Sequence, residues 1–126
     1  MKKRNNPRMV QFITLDEDEK DLVVSYALAD SNGGIRSLNL LRTLFFEELL
    51  DEEERGVNVW LEKDHFDDKA RNMLIEIQIE ENEISIHSTF RDYQLDISRV
   101  DREEIEEMIR ILKKQNYDNR FTIRIA

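Results

Sequence analysis

Two histidines and scattered carboxylates are the side chains of this 126-residue sequence best suited to acid–base or metal chemistry. Asp64, His65, Asp67 and Asp68 place one imidazole and three carboxylates in a short polar stretch, a donor set that suits a divalent cation. Their spacing matches no recognised ligand pattern, so the stretch reads as a polar connection. His87 shares a strand face with Ser85 and Thr89 by two-residue alternation. A nucleophile needs a base within hydrogen-bond reach and a third group to orient that base, and nothing in this spacing supplies them. His87 is therefore expected to be a half-exposed sheet residue. Asp16, Asp18, Lys20 and Asp21 resemble the start of a calcium loop, but the sixth position is Asp21 rather than glycine and the twelfth is Ala27 rather than glutamate. No glycine-rich phosphate cradle, dinucleotide fingerprint, nucleophile elbow or HExxH pattern occurs. The expectation is no catalytic residue, no metal and no cofactor; a metal-dependent hydrolase using His65 and nearby carboxylates is the least favoured reading.

The bulk composition narrows the classes further. With 28 acidic and 19 basic residues the net charge is -9, a balance that argues against nucleic-acid binding, which needs cations to displace phosphate counterions. Cysteine is absent, which excludes disulfides, thiolate metal sites and a cysteine nucleophile. No apolar run approaches the roughly 20 residues of a membrane span, and the opening MKKRNNPR lacks the apolar segment of a secretory signal. No membrane association and a cytoplasmic location are expected. Residues 1–8 hold Lys2, Lys3, Arg4 and Arg8 without an acid and read as a basic flexible tail, and residues 9–126 as one α+β domain.

Period-2 alternation recurs along that domain. Met9–Leu15 and Leu22–Leu28 flank the acidic run DEDEKD and read as a hairpin, and Asp30–Gly34 reads as a turn. Residues 35–55 admit two readings, one long helix or a strand at 35–42 followed by a helix at 46–55, and the second is preferred because Asn39 and Thr43 are mediocre helix formers. In the single-helix reading Gly56 is expected as a left-handed stop after Arg55. Val57, Val59 and Leu61 form the apolar face of a strand. So do Met73, Ile75, Ile77 and Ile79, then Ile84, Ile86, Ser88 and Phe90 beyond a reversal at Glu81–Asn82, then Tyr93, Leu95 and Ile97. Residues 101–115 are an amphipathic helix with Ile105, Met108, Ile109 and Leu112 on one stripe, opened by a capping box between Asp101 and Glu104. Phe121, Ile123 and Ile125 mark a final strand docked in the sheet. The expected fold is a curved, mainly antiparallel sheet of about six to eight strands with the helix 101–115 packed on one face.

Acid concentrates at 16–21, 47–54 and 101–107. The middle cluster stands out because apolar side chains lie within it. Phe45, Phe46, Glu47, Glu48, Leu50, Asp51, Glu52, Glu53 and Glu54 are the candidate partner-binding residues, since an apolar anchor ringed by charge is what tight interfaces use. A basic protein partner is the expected ligand, and a homodimer seam through Phe45, Phe46 and Leu50 is the rival. The order of elements also resembles the small immunity proteins of bacterial polymorphic toxin systems. The resemblance rests on the hairpin ITLDEDEKDLVVSYA, the strand GIRSLNLLRT, the acid-rich DEEERGVNVWLE and the helix DREEIEEMIRILKK, over roughly residues 12–115. It implies a non-enzymatic cytoplasmic inhibitor that binds a toxin, often a basic nuclease.

Overall fold

The computed structural model describes residues 7–30, 32–62 and 71–126. Strands β1 (Arg8–Glu17), β2 (Asp21–Ala29), β3 (Ile35–Thr43) and β4 (Asn58–Leu61) pair antiparallel in sequence, and β5 (Leu74–Ile79), β6 (Glu83–Ser88) and β7 (Asp92–Asp96) do the same. Helix α1 (Arg102–Gln115) then carries the chain to β8 (Thr122–Ile125). Together they form an eight-stranded sheet in the order β4-β3-β2-β1-β7-β6-β5-β8. The sheet is not closed, but a bridge between Asn58 and Met73, with hydrogen bonds from the Val59 N–H to Asn72 O (2.8 Å) and the Leu74 N–H to Val57 O (2.9 Å), brings its β4 end against the start of β5.

The expected α+β class with one helix holds, whereas the antiparallel expectation holds only in part because the sheet is mixed. β1 meets β7 in parallel through Arg8 and Met9, and β8 lies parallel to β5 along its whole length. Connectivity forces the second pair: β5 and β7 point the same way across β6, and α1 reverses the chain, so β8 must run with them. Arg8, read as part of the tail, opens β1.

The hydrophobic pattern placed most faces correctly. Leu22, Val24, Tyr26 and Leu28, then Leu38 and Leu40, Val57, Val59 and Leu61, and Tyr93, Leu95 and Ile97 are all buried in one core cluster. Helix α1 adds Met108, Ile111 and Leu112 to that cluster, and the buried Tyr26 hydroxyl donates to Met108 Sδ at 3.1 Å. Ile105 and Ile109, expected in its stripe, are half-buried at the margin. Among the described residues no helix is long and apolar enough to cross a membrane.

Four local expectations are corrected. A register shift between Leu74 and Glu76 turns Leu74 inward and leaves Ile75 45% exposed, so the phase of that strand changes at its start. Phe90 is exposed because β6 ends at Ser88. Asp101 occupies the N-cap position of α1 but its side chain makes no capping bond, so the expected capping box is absent and the exposed helix start rests on the dipole preference for Glu103 and Glu104. The helix expected at 46–55 is instead two single 3-10 turns, Glu47–Leu49 and Glu52–Glu54, separated by extended backbone at Leu50 and Asp51. An α-helix there would set Glu48 against Asp51 and Glu52 at neighbouring positions, and like charges at that spacing are destabilising. Gly56 does take a positive φ, +126°, after the second of these turns.

Candidate functional site

The segment that carries the candidate partner-binding residues leaves the end of β3 and is fixed from two sides. On one side the N–H groups of Leu44 and Phe45 donate to Lys20 O at 2.7 and 3.3 Å, which ties the segment to the tip of the β1–β2 hairpin. That tip is shaped by Asp18, whose Oδ1 accepts the N–H groups of Lys20 (2.7 Å) and Asp21 (2.8 Å). These bonds, the Asp21 amide foremost, hold its carboxyl below the ordinary range. The resemblance to a calcium loop is thus a turn closed by its own backbone. Lys20 Nζ lies 5.7 Å from the centre of the Phe45 ring, and Phe45 meets Phe46 edge to face at 4.9 Å.

On the other side stands Arg42, the last inward position of β3 and fully buried. A guanidinium in that place requires partners for all its donors, because a buried charge left unpaired costs several kcal/mol. Nε and Nη2 reach the two carboxylate oxygens of Glu47 at 2.6 and 2.8 Å, a bidentate fork. Nη1 donates to Gln115 O (2.6 Å) at the end of α1 and to Asp118 Oδ1 (2.8 Å), and Nη2 also reaches Asp118 Oδ2 (3.0 Å) and the Tyr117 hydroxyl (3.1 Å). The Tyr117 ring covers the guanidinium at 4.3 Å. Arg120 completes the set: its Nε donates to Asp118 at 2.6 Å and its Nη1 to Glu52 O at 2.7 Å. Two arginines thus balance two carboxylates, and both 3-10 turns are bound to the end of α1.

The electrostatics follow from this arrangement. Arg42 holds the Asp118 carboxyl far below the usual range against the opposing effect of its partial burial, and Arg120 adds to the same direction. Burial alone would make Arg42 easier to deprotonate, but Asp118 and Glu47 outweigh it and keep the guanidinium charged. Beside the network, Gln115 Nε2 donates to Leu22 O (2.9 Å) and Leu40 O (3.0 Å), joining α1 to β2 and β3. Its Oε1 is buried with no hydrogen-bond partner among the described residues.

What this clamp presents is an apolar surface. Phe45 is 61%, Phe46 51% and Leu49 81% exposed, and Glu48, Asp51, Glu52, Glu53 and Glu54 are exposed around them. Leu50 is half-buried, with its carbonyl accepting from Arg55 Nε. Glu47 departs from the sequence reading: its carboxylate is buried and fully engaged by Arg42, so it positions the surface instead of lining it. Arg42, Asp118 and Arg120 were not singled out from the sequence. The alternation Leu38, Leu40, Arg42 carries the signal, since it puts a charge on a face that is otherwise core.

The three acidic stretches are linked at their edges. The hairpin tip and residues 44–54 meet at Lys20. Glu17, within the tip, is paired with Lys114 and Arg110 of α1, Lys114 being the larger cause of its lowered pKa. Arg110 also pairs with Glu107 at 2.9 Å, so the last acid of 101–107 meets the hairpin tip through a shared cation. Asp101, Glu103 and Glu104 lie at the far end of α1, roughly 15–20 Å from its C-terminus at 1.5 Å per residue. Glu103, Glu104 and Glu107 border a shallow groove over Ile13 and Leu15.

The other candidates do not assemble. His87 Nδ1 pairs with Asp92 on the exposed face of β6 and β7, while Ser85 Oγ donates to Gln94 at 2.9 Å and Thr89 Oγ1 to Met73 O at 3.3 Å. Neither hydroxyl is joined to the imidazole. Among the described residues no group of three or more His, Asp or Glu could hold a metal ion. Asp64, His65, Asp67 and Asp68 lie outside the described residues. No family model, no curated protein and no solved structure matches this chain.

Proposed function

We propose that this chain is a non-enzymatic binding protein whose segment 44–54 docks a basic protein partner, in the manner of an immunity-type inhibitor. One observation carries the reading: Phe45, Phe46 and Leu49 are held exposed by a four-charge clamp built on the buried Arg42–Glu47 pair, at a direct cost in apolar surface left in water. A folding requirement alone does not explain that expenditure, because the same clamp would hold polar side chains equally well. The flanking Glu48 and Asp51–Glu54 supply the potential that steers a cationic partner and rejects acidic ones. Binding of this type performs no chemistry on the partner. It blocks the surface it covers.

The test is capture from source cells with the chain as bait, at about 50 mM and about 500 mM salt, since screening shortens the reach of charge from roughly 14 Å to roughly 4 Å over that range. The proposal expects a basic protein that is retained at low salt and largely lost at high salt. Recovery of no protein, or of an acidic protein indifferent to salt, overturns it.

A further inference from the structure

Among the described residues, the outer face of β1–β4, opposite the core, is nearly devoid of charge. Strand register aligns Thr14, Ser25, Asn39 and Trp60 across its middle. The row beginning at Phe12 and the row crossing β2 at Val23 flank this line, and in both only the marginal positions Asp16 and Glu62 ionise. In a chain that is 37% charged, a patch of this size would ordinarily carry several charges. The same molecule supplies the contrast: the outer face of β5–β8 presents Glu76, Glu83, Asp92, Asp96 and Arg124. Phe12 and Trp60 are about half exposed on the neutral face, and the polar groups between them are partly satisfied within it, Ser25 Oγ donating to Asn39 at 2.6 Å.

We infer that this face is where two copies of the chain associate. The argument is one of charge. A protein of net charge -9 that meets itself through any acidic surface sets like charges together. In a two-fold interface each patch must also complement itself, which an uncharged face does and an acidic one does not. Such an association is face-to-face sheet packing at about 10 Å separation. The acidic hairpin tips, with Asp16, Asp18 and Asp21, select the arrangement in which each tip lies over the far end of the other copy. Four strands about 4.8 Å apart with about 20 Å of usable length give roughly 400 Å² of flat area per copy, about 800 Å² for the pair, which is below the roughly 1,200–2,000 Å² of stable interfaces and in the range of weak, transient ones. The pair is therefore weak and concentration-dependent, and it is separate from the Phe45 surface proposed to bind a basic partner.

Sedimentation equilibrium of the full chain from about 10 µM to about 1 mM tests this, a span that brackets the weak affinities expected. The native chain and Thr122→Glu, an exposed change on β8, should rise from monomer toward dimer mass, and Thr14→Glu and Trp60→Glu should remain monomeric throughout. Circular dichroism establishes that each variant is folded. Thr14 is solvent-exposed, so its variant keeps the test sound should Trp60→Glu fail to fold. A native chain that stays monomeric at about 1 mM overturns the inference. So does dimerisation that survives both face variants, or that is abolished instead by Phe45→Glu.

Discussion

Arg42 decides the arrangement around the candidate surface, and its contribution is measurable. Replacing it with Met leaves the buried Glu47 carboxylate without a cation, and removing one partner of such a pair costs about 3–5 kcal/mol. Urea unfolding should show that loss, and the double change Arg42→Met with Glu47→Gln should recover part of it; equal stability of the two variants would mean that the pair is not coupled. Asp118 gives the clamp a pH dependence of known sign. Arg42 foremost depresses the folded pKa of Asp118 below the ordinary Asp value of about 3.9, so its contribution is complete above that value and is lost as pH falls toward the folded pKa. Acid unfolding should therefore be shallower in Asp118→Asn than in the native chain below about pH 4, where the unfolded chain takes up a proton at Asp118 that the folded chain does not. At this scale the sequence made the exposed aromatic and acidic positions legible. It did not reveal the clamp, because Arg42, Glu47, Asp118 and Arg120 are separated in the chain and are brought together by the end of α1.

Among the elements, those with a long, uncontested period were readable: the β1–β2 and β5–β6 hairpins, β7, and the α1 helix. The Met73–Leu74–Ile75 run offers apolar side chains in both phases, and the pairing with β6, with its shift after Leu74, chose Leu74 for the core. Residues 46–55 failed as a helix for a reason that is electrostatic and tertiary together. Crowded acids disfavour the α spacing, and capture of Glu47 by Arg42 fixes the first turn in another direction. Gly56 then becomes the critical joint. At φ +126° an L side chain is strained, and an added Cβ would stand 3.2 Å from Met73 Cε. Gly56→Ala should cost about 1–3 kcal/mol in thermal unfolding, and a loss within measurement error would show that the backbone there relaxes freely. In α1, Met108→Ala should cost about 2–4 kcal/mol, because Met108 is fully buried and receives the Tyr26 hydroxyl. The parallel placement of β8 was not legible, since periodicity reports which face a strand buries and not which neighbour it joins.

For the whole molecule, charge and apolar surface are arranged unevenly. Acid from the hairpin tip and residues 48–54 gathers beside exposed Phe45, Phe46 and Leu49, and the acids of 101–107 run away along the helix from Glu107, which Arg110 joins to Glu17. Among the described residues the outer face of β1–β4 carries almost no charge. Composition alone gave the net sign but could not say where it would be felt. If the first of these surfaces docks a cation-rich protein, charge should act chiefly on the rate of association and the aromatic rings on the rate of dissociation. Calorimetric titration of the captured partner with the native chain, with Phe45→Ala/Phe46→Ala and with Glu52→Lys/Glu53→Lys/Glu54→Lys addresses the central claim most directly. Affinity should fall by about tenfold or more in each variant, which is about 1.4 kcal/mol. Affinities that match the native chain in both variants would place the binding surface elsewhere and contradict the account.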